Sequence, residues 1–142
     1  MSRIGDQQPA GVGGWLLLFC VILLVWEPVS LALLASSYLG QAMFRDAAFF
    51  LILAARLIIV AIGVAAALAF FNHRPFAAAL AKAAVLLSAG MAAFLLLTPY
   101  FPSNLAPDLK MPVLAATLAW YAAWFVYLAR SKRVRAHAEN AG

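Results

Sequence analysis

The chain has 142 residues, of which 67% are hydrophobic and 11% are charged, and its mean hydropathy is +0.97. Ordinary soluble domains carry about 25% charged residues, and a small soluble domain has too little interior to hide so much apolar surface. The composition therefore excludes an ordinary soluble protein and favours a chain whose solvent is the lipid bilayer.

The net charge of +5 comes from 10 Lys and Arg against 5 Asp and Glu. The basic residues stand mainly at the ends of apolar runs, a pattern that orients membrane proteins and is not typical of a nucleic-acid surface. The single cysteine, Cys20, excludes an intrachain disulfide, and His73 and His137 have no partner at the spacing of metal ligands. We expect no nucleic-acid partner, no metal and no cofactor.

The first apolar run covers residues 15–38 and follows a polar, glycine-rich head. A helix of that length measures roughly 35 Å, which is enough to cross a hydrocarbon core about 30 Å thick. Residues 16–26 alone have the length of the apolar region of a signal peptide, so a cleaved signal is the competing interpretation. Apolar character resumes after Pro28 and completes a full span, which favours a retained helix.

Three further apolar runs follow, at about residues 47–71, 76–97 and 112–129, and a basic tail covers 130–142. Pro75 and Pro112 suit the first turns of the third and fourth helices. The runs lack the alternation of a membrane strand and are continuously apolar for about 18 residues or more. The chain is therefore predicted to be all-α: a single polytopic membrane domain with a bundle of four transmembrane helices.

An even number of spans puts both termini on one side of the membrane. The other side carries only Arg45 and Lys110. The positive-inside rule then predicts that both termini are cytoplasmic. The terminal side collects Arg3, Arg74, Arg130, Lys132, Arg133 and Arg135.

Two opposite charges interrupt the first and second runs at the same depth. Glu27 and Arg56 each lie roughly 14–17 Å from the end of their helix on the non-terminal side, at about 1.5 Å per residue. A lone charge at mid-membrane costs about 2.5–3.5 kcal/mol or more, so the sequence predicts an ion pair between them. Gly63 and Ala67 share a helix face with Arg56, and small residues of this kind are typical of packed membrane helices.

Pro28, next to Glu27, cannot donate to the Leu24 carbonyl, so we expect a kink with a free acceptor at that depth. Two interpretations of Glu27 and Arg56 stay open. A structural pair would hold the register of two helices. A proton or ion route would use the intramembrane carboxylate directly, although such routes usually need several polar groups.

The third run contains Lys82, which shares a helix face with Ala89 and Ala93. Lys82 lies about 10 Å inside Pro75, close enough for its aliphatic stem to carry the ammonium group to the cytoplasmic surface. Snorkelling of this kind or a structural pairing is the simpler interpretation; a functional intramembrane cation is the alternative.

The basic tail offers a second group of candidate residues. Its simplest interpretation is a topology anchor, and docking to anionic lipid or to a partner is the alternative. The residues concerned are Arg130, Lys132, Arg133 and Arg135.

Catalytic motifs give no support for an enzyme. The serines of the apolar runs have no histidine in the same segment to act as a base, and the chain has neither a Walker-type phosphate loop nor an H-E-x-x-H pair. We therefore predict a non-enzymatic accessory or interaction protein that associates with lipids, with another membrane protein or with its own copies. The alternative is a small transporter or proton-coupled channel that uses Glu27 and Arg56.

The two ends of the membrane region resemble a known family. The start of the first run, Gly13-Gly14-Trp15-Leu16, and the end of the fourth, with its Tyr-x-x-x-Ser-Lys-Arg-Val pattern over 127–134, are similar to the small bacterial membrane proteins grouped as domain of unknown function 2569. The resemblance implies a four-helix protein of the bacterial inner membrane with no assigned activity. After Val134 the chain reads Arg-Ala-His, where the family has a more apolar ending.

Overall fold

The computed structural model describes residues 14–39, 46–98 and 106–140. Every regular element within these ranges is helical, which confirms the predicted all-α class. Four of the helical segments are long and apolar enough to cross a membrane. The head before Gly14, including Arg3, and the connection that holds Arg45 lie outside the described residues.

The first long helix has two α-helical parts joined by a π turn. It is followed by two long helices, a short 3₁₀ turn at Pro107–Leu109, a fourth long helix and a short terminal helix. The α-helices are α1 Trp15–Val21, α2 Glu27–Leu39, α3 Ala47–Phe71, α4 Ala77–Leu97, α5 Lys110–Arg130 and α6 Lys132–Asn140.

The π turn covers Ile22–Trp26 and lies directly before Glu27 and Pro28. Here the Glu27 N–H donates to the Ile22 carbonyl, five residues back, instead of to the usual fourth residue. Proline has no N–H and crowds the preceding turn, so a widened turn at this point relieves both problems. The sequence indicated a disturbance at Pro28, and the structure gives it the form of a π turn.

The turn between α3 and α4 is closed by backbone hydrogen bonds. His73 has a φ of 51°, a left-handed conformation in which histidine is several-fold enriched over other non-glycine residues. The Arg74 N–H then donates to the Ala69 carbonyl at 2.9 Å, which satisfies one of the free carbonyls at the end of α3. This short turn holds α3 and α4 as antiparallel neighbours.

The fourth long helix begins earlier than the sequence suggested. Its α-helical part starts at Lys110 and already includes Pro112, and a 3₁₀ turn with Pro107 at its first position precedes it. Both prolines occupy a first turn, where a helix makes no use of the missing N–H. An opening proline therefore marks this helix start only to within a few residues.

The basic tail is folded over most of its length. Ser131 has an extended ψ of 121° that ends α5. Its Oγ accepts a hydrogen bond from the Val134 N–H at 3.4 Å, in the position of an N-cap for α6. Val134 is buried, and α6 contacts both α4 and α5. A segment predicted only as a basic tail is thus a short helix packed on the end of the bundle.

Hydrophobic packing is concentrated at the end of the bundle where the first long helix begins and α5 ends, which we call the closed half. Its cluster draws on the start of the first long helix, the end of α3, the start of α4, the end of α5 and the inner face of α6. Among the described residues, the opposite end, which we call the open half, contributes no member to this cluster. The buried residues concerned are Leu16, Phe19, Cys20, Leu23, Ala66, Ala67, Ala69, Phe70, Ala77, Ala81, Val85, Leu128 and Val134.

Close approach in the closed half depends on small side chains. Gly63 is buried, and a Cβ placed on it would lie 3.3 Å from Leu23 Cδ2 and 4.0 Å from Ala84 Cβ. The glycine thus lies at a point where the first and third long helices both approach α3. The predicted small-residue packing of α3 is confirmed, since Gly63 and Ala67 are both buried. On α4 the buried face is centred on Ala81 and Ala84, not on the predicted face.

Gly63 also provides a test of the fold. Gly63→Leu should lower the free energy of unfolding by about 1–3 kcal/mol, because the added side chain has no space beside Leu23. Gly90→Leu is the matched control, since a Cβ at Gly90 meets nothing within 4 Å. Denaturant titration of the purified protein in mild detergent measures both values. Equal losses for the two variants would contradict the packing described.

Candidate functional site

The predicted ion pair between Glu27 and Arg56 is present. Arg56 Nη2 lies 3.5 Å from Glu27 Oε2, and the Glu27 side chain is 9% exposed while that of Arg56 is 15% exposed. The pair joins the first long helix to α3, and each partner lies near the middle of its helix. A distance of 3.5 Å is long for a charge-assisted hydrogen bond, so the contact neutralises both charges without using the full donor capacity of the guanidinium.

Local backbone structure places Glu27 at the base of the open half. It is the first residue of α2, immediately after the π turn. One turn later, the Ser30 hydroxyl donates to the Glu27 carbonyl at 2.8 Å. Pro28, the π turn and this hydrogen bond together define the backbone around the carboxylate.

A third polar side chain lies near Arg56, on the fourth long helix. Tyr121 and Arg56 border one cavity. An arginine can only donate hydrogen bonds, whereas a tyrosine hydroxyl can donate or accept. Tyr121 carries no charge, so a comparison of the depths of charged residues in the sequence does not find it. Its position midway along α5 was the available signal.

A cavity of about 330 Å³ lies beside this cluster in the open half. The first long helix, α3, α4 and α5 all contribute to its wall, and the polar lining residues are Ser30, Arg56, Thr117 and Tyr121. The Thr117 hydroxyl donates to the Val113 carbonyl at 2.8 Å, so its hydrogen is already used within the helix. The rest of the wall is aliphatic.

Lys82 does not join this cluster. It lies near the start of α4 and is half-buried, in the closed half of the bundle. In the described part of the chain, no hydrogen bond or ion pair connects it to another side chain. Snorkelling of Lys82 to the membrane surface stays a prediction.

The basic residues of the tail lie at the same end as the start of the first long helix. The Arg133 guanidinium lies over Gly14, where a Cβ would come within 2.9 Å of Arg133 Nη1. Gly14 has a φ of 60°, so glycine is favoured there by its backbone conformation as well as by this contact. Arg135 donates to the Ala129 carbonyl at 3.4 Å, while Arg130 and Lys132 are exposed.

The cluster brings two opposite charges and several hydrogen-bonding side chains together. Across 14–39, 46–98 and 106–140, no group of three or more His, Cys, Asp or Glu side chains is arranged to hold a metal ion. Cys20 is buried in the closed half. The arrangement pairs two opposite charges in the interior of the bundle and can present donors to a molecule in the cavity.

Comparisons of the chain with models of protein families, with curated proteins and with solved structures find no match. The resemblance to the bacterial family described above therefore stays a prediction. The function has to be argued from the geometry of the chain itself.

The ion pair makes a direct prediction. Glu27→Gln and Arg56→Gln should each reduce the amount of protein in the membrane, because an unpaired charge at mid-membrane costs about 2.5–3.5 kcal/mol or more. The charge-reversed single variants, Glu27→Arg and Arg56→Glu, should each lose protein as well, and the exchanged double variant that combines them should recover part of that loss. Quantitative immunoblotting of membrane fractions measures all the variants.

Lys82→Gln is the matched control, because it removes an intramembrane cation that makes no ion pair within the described residues. It should leave the amount of protein close to that of the wild type. If the exchanged double variant accumulates no better than a charge-reversed single variant, the two side chains do not depend on each other.

Proposed function

We propose that this chain is a non-enzymatic accessory protein of the bacterial inner membrane, which acts by associating with another integral membrane protein. Four long apolar helices support a multi-pass membrane protein. The Glu27–Arg56 contact serves in this proposal as a structural pair that holds the register of the first two long helices.

The observation that carries the proposal is a pair of outward-facing tryptophans at mid-depth. Trp26 lies at the π turn beside Glu27 and is 65% exposed, and Trp120 lies midway along α5 and is 52% exposed. Neither indole N–H donates a hydrogen bond to any residue in the described part of the chain. Tryptophan favours the membrane interface, where its N–H meets water, so two such residues facing hydrocarbon indicate a protein partner.

The fourth long helix adds a surface of suitable size. Its most apolar stretch is only 6% buried within the chain, compared with 22–28% for the other three long helices. Other large side chains on its outer face, such as Met111 and Leu118, are exposed as well. A helix that contributes so little to internal packing has most of its surface available to a neighbouring membrane helix.

Substitution of the outward tryptophans tests the partner. Trp120→Leu and Trp26→Leu keep the spans apolar but remove the indole, and each should reduce the capture of a specific membrane partner by roughly tenfold or more. The measurement is affinity purification from detergent-solubilised membranes, with the co-purifying membrane protein quantified by mass spectrometry.

Trp15→Leu is the matched control, because Trp15 is 68% exposed but lies at the end of its helix, where a tryptophan needs no protein partner. Capture should not change in this variant. A wild-type protein that purifies without any stoichiometric partner, or capture that survives both mid-depth substitutions, would contradict the accessory role.

A transporter or proton-coupled channel is the second candidate, favoured by the cavity that borders Arg56. The two functions differ in what Glu27→Gln does. Loss of a cellular phenotype at unchanged protein abundance would support transport, because the carboxylate would then act chemically. Loss of abundance together with the phenotype would support the structural pair.

The proposed orientation places both termini in the cytoplasm. Within the described residues, one end of the bundle carries the larger number of basic side chains: Arg74, Arg130, Lys132, Arg133 and Arg135. Lys110 lies at the opposite end, at the start of α5. The positive-inside rule favours the basic end as the cytoplasmic one.

Cysteine labelling tests this orientation. A membrane-impermeant maleimide should label Lys110→Cys in intact spheroplasts, and it should label Arg74→Cys only after lysis. Both positions are exposed in the structure. The native Cys20 is buried, so it gives a low background. The reverse pattern of labelling would overturn the orientation.

Membership of the family called domain of unknown function 2569 belongs to the same proposal. The two ends that carry the resemblance lie together in the fold, with Arg133 over Gly14 and with Leu16, Leu128 and Val134 in one buried cluster. A shared structural role at this end of the bundle supports the proposal that the two motifs are linked.

A further inference from the structure

Hydrogen-bond donors and acceptors border the cavity in the open half, and they have no part in the proposed accessory role. Arg56 has five N–H donors, and its hydrogen bonding within the described residues is one long bond to Glu27. The Tyr121 hydroxyl borders the same cavity, and its O–H can donate. Ser30 and Thr117 donate to backbone carbonyls at 2.8 Å each, so their oxygens remain only as acceptors.

A surplus of donors therefore borders an otherwise apolar cavity. A buried donor without an acceptor is costly, so a bound molecule with a compact oxygen acceptor would stabilise the site. The volume of about 330 Å³ falls in the range of pockets that hold small ligands. The wall residues Leu34, Leu95 and Val113 offer aliphatic surface to the rest of such a molecule.

Charge and depth restrict the ligand further. Glu27 and Arg56 together are neutral, so a carboxylate or phosphate head would compete with Glu27 for the guanidinium and would be repelled by it. The cluster also lies roughly 14–17 Å from the helix ends, whereas phospholipid head groups stay at the interface. The head of the ligand must therefore be uncharged and able to enter the hydrocarbon core.

We propose that this cavity binds a membrane-soluble quinone, with a ring carbonyl accepting hydrogen bonds from Arg56 and Tyr121. A quinone combines an uncharged ring, carbonyl acceptors and an apolar tail, which are the three properties that the cavity selects. The apolar tail of the quinone leaves the cavity through the open half of the bundle, away from the buried cluster of the closed half. This binding role goes beyond the accessory role and does not depend on a protein partner.

The test uses the purified full chain in lipid nanodiscs and decylubiquinone as the probe, with quenching of intrinsic tryptophan fluorescence as the readout. Tyr121→Phe removes one donor, and Ala92→Leu fills the cavity from α4 without touching a polar group. Each should raise the dissociation constant roughly tenfold. Tyr121→Phe loses a hydrogen bond to the quinone, and Ala92→Leu takes up space that the quinone would occupy.

Matched controls are Tyr127→Phe, a tyrosine near the other end of α5, and Ala116→Leu, an outward-facing alanine on the same helix. Both should bind the probe as the wild type does. Far-ultraviolet circular dichroism and size-exclusion chromatography identify any variant that fails to fold. If either Tyr121→Phe or Ala92→Leu fails to fold, the other variant decides the result.

Competition with molecules of similar length separates quinone binding from simpler occupancy. Dodecane and dodecanoic acid should each displace decylubiquinone poorly, because dodecane lacks an acceptor and dodecanoic acid brings a carboxylate close to Glu27. If dodecane at a concentration equal to that of decylubiquinone restores the tryptophan fluorescence, the cavity accepts any alkyl chain and the proposal is overturned. Stronger displacement by dodecanoic acid, or wild-type binding in both cavity variants, would overturn it as well.

Discussion

An opposite pair of charges halfway through an apolar bundle is the constraint on which the rest of the structure depends. Glu27 and Arg56 lie 3.5 Å apart, and each is almost enclosed by protein. Either charge alone would be costly in hydrocarbon, so the register of the first long helix against α3 is limited to arrangements that keep the two level. In that register Leu23, four residues before Glu27, packs on Gly63 of α3.

The packing on the two sides of the pair is unequal, and the composition of the helices explains the difference. In the closed half, alanines and Gly63 allow the backbones to approach closely, and a buried cluster forms with α6 covering its end. In the open half, Leu34, Leu95 and Leu96 line a cavity beside Arg56. Hydrocarbon solvates apolar side chains as well as another helix does, so the hydrophobic effect does not close such a gap in a membrane.

Two neighbouring residues of the fourth long helix carry the two proposed roles. Trp120 faces outward midway along α5, and its neighbour Tyr121 faces the cavity that Arg56 also borders. Successive residues on a helix differ in direction by about 100°, so one helix can present an aromatic surface to a partner and a hydrogen-bond donor to a ligand.

The sequence by itself determined that the chain is helical, where its long apolar segments lie and that Glu27 should meet Arg56, because these follow from hydropathy, helix rise and the cost of a buried charge. It also indicated a local distortion of the helix at Pro28. That the distortion takes the form of a π turn depends on how the neighbouring backbone groups rearrange around the hydrogen bond that proline cannot donate. Only the tertiary structure placed Tyr121 on the same cavity as Arg56, put Arg133 over Gly14 and folded the basic tail as a helix. These contacts join residues far apart in the chain, and uniformly apolar helices carry little periodic signal for which face turns inward when the outside solvent is itself apolar.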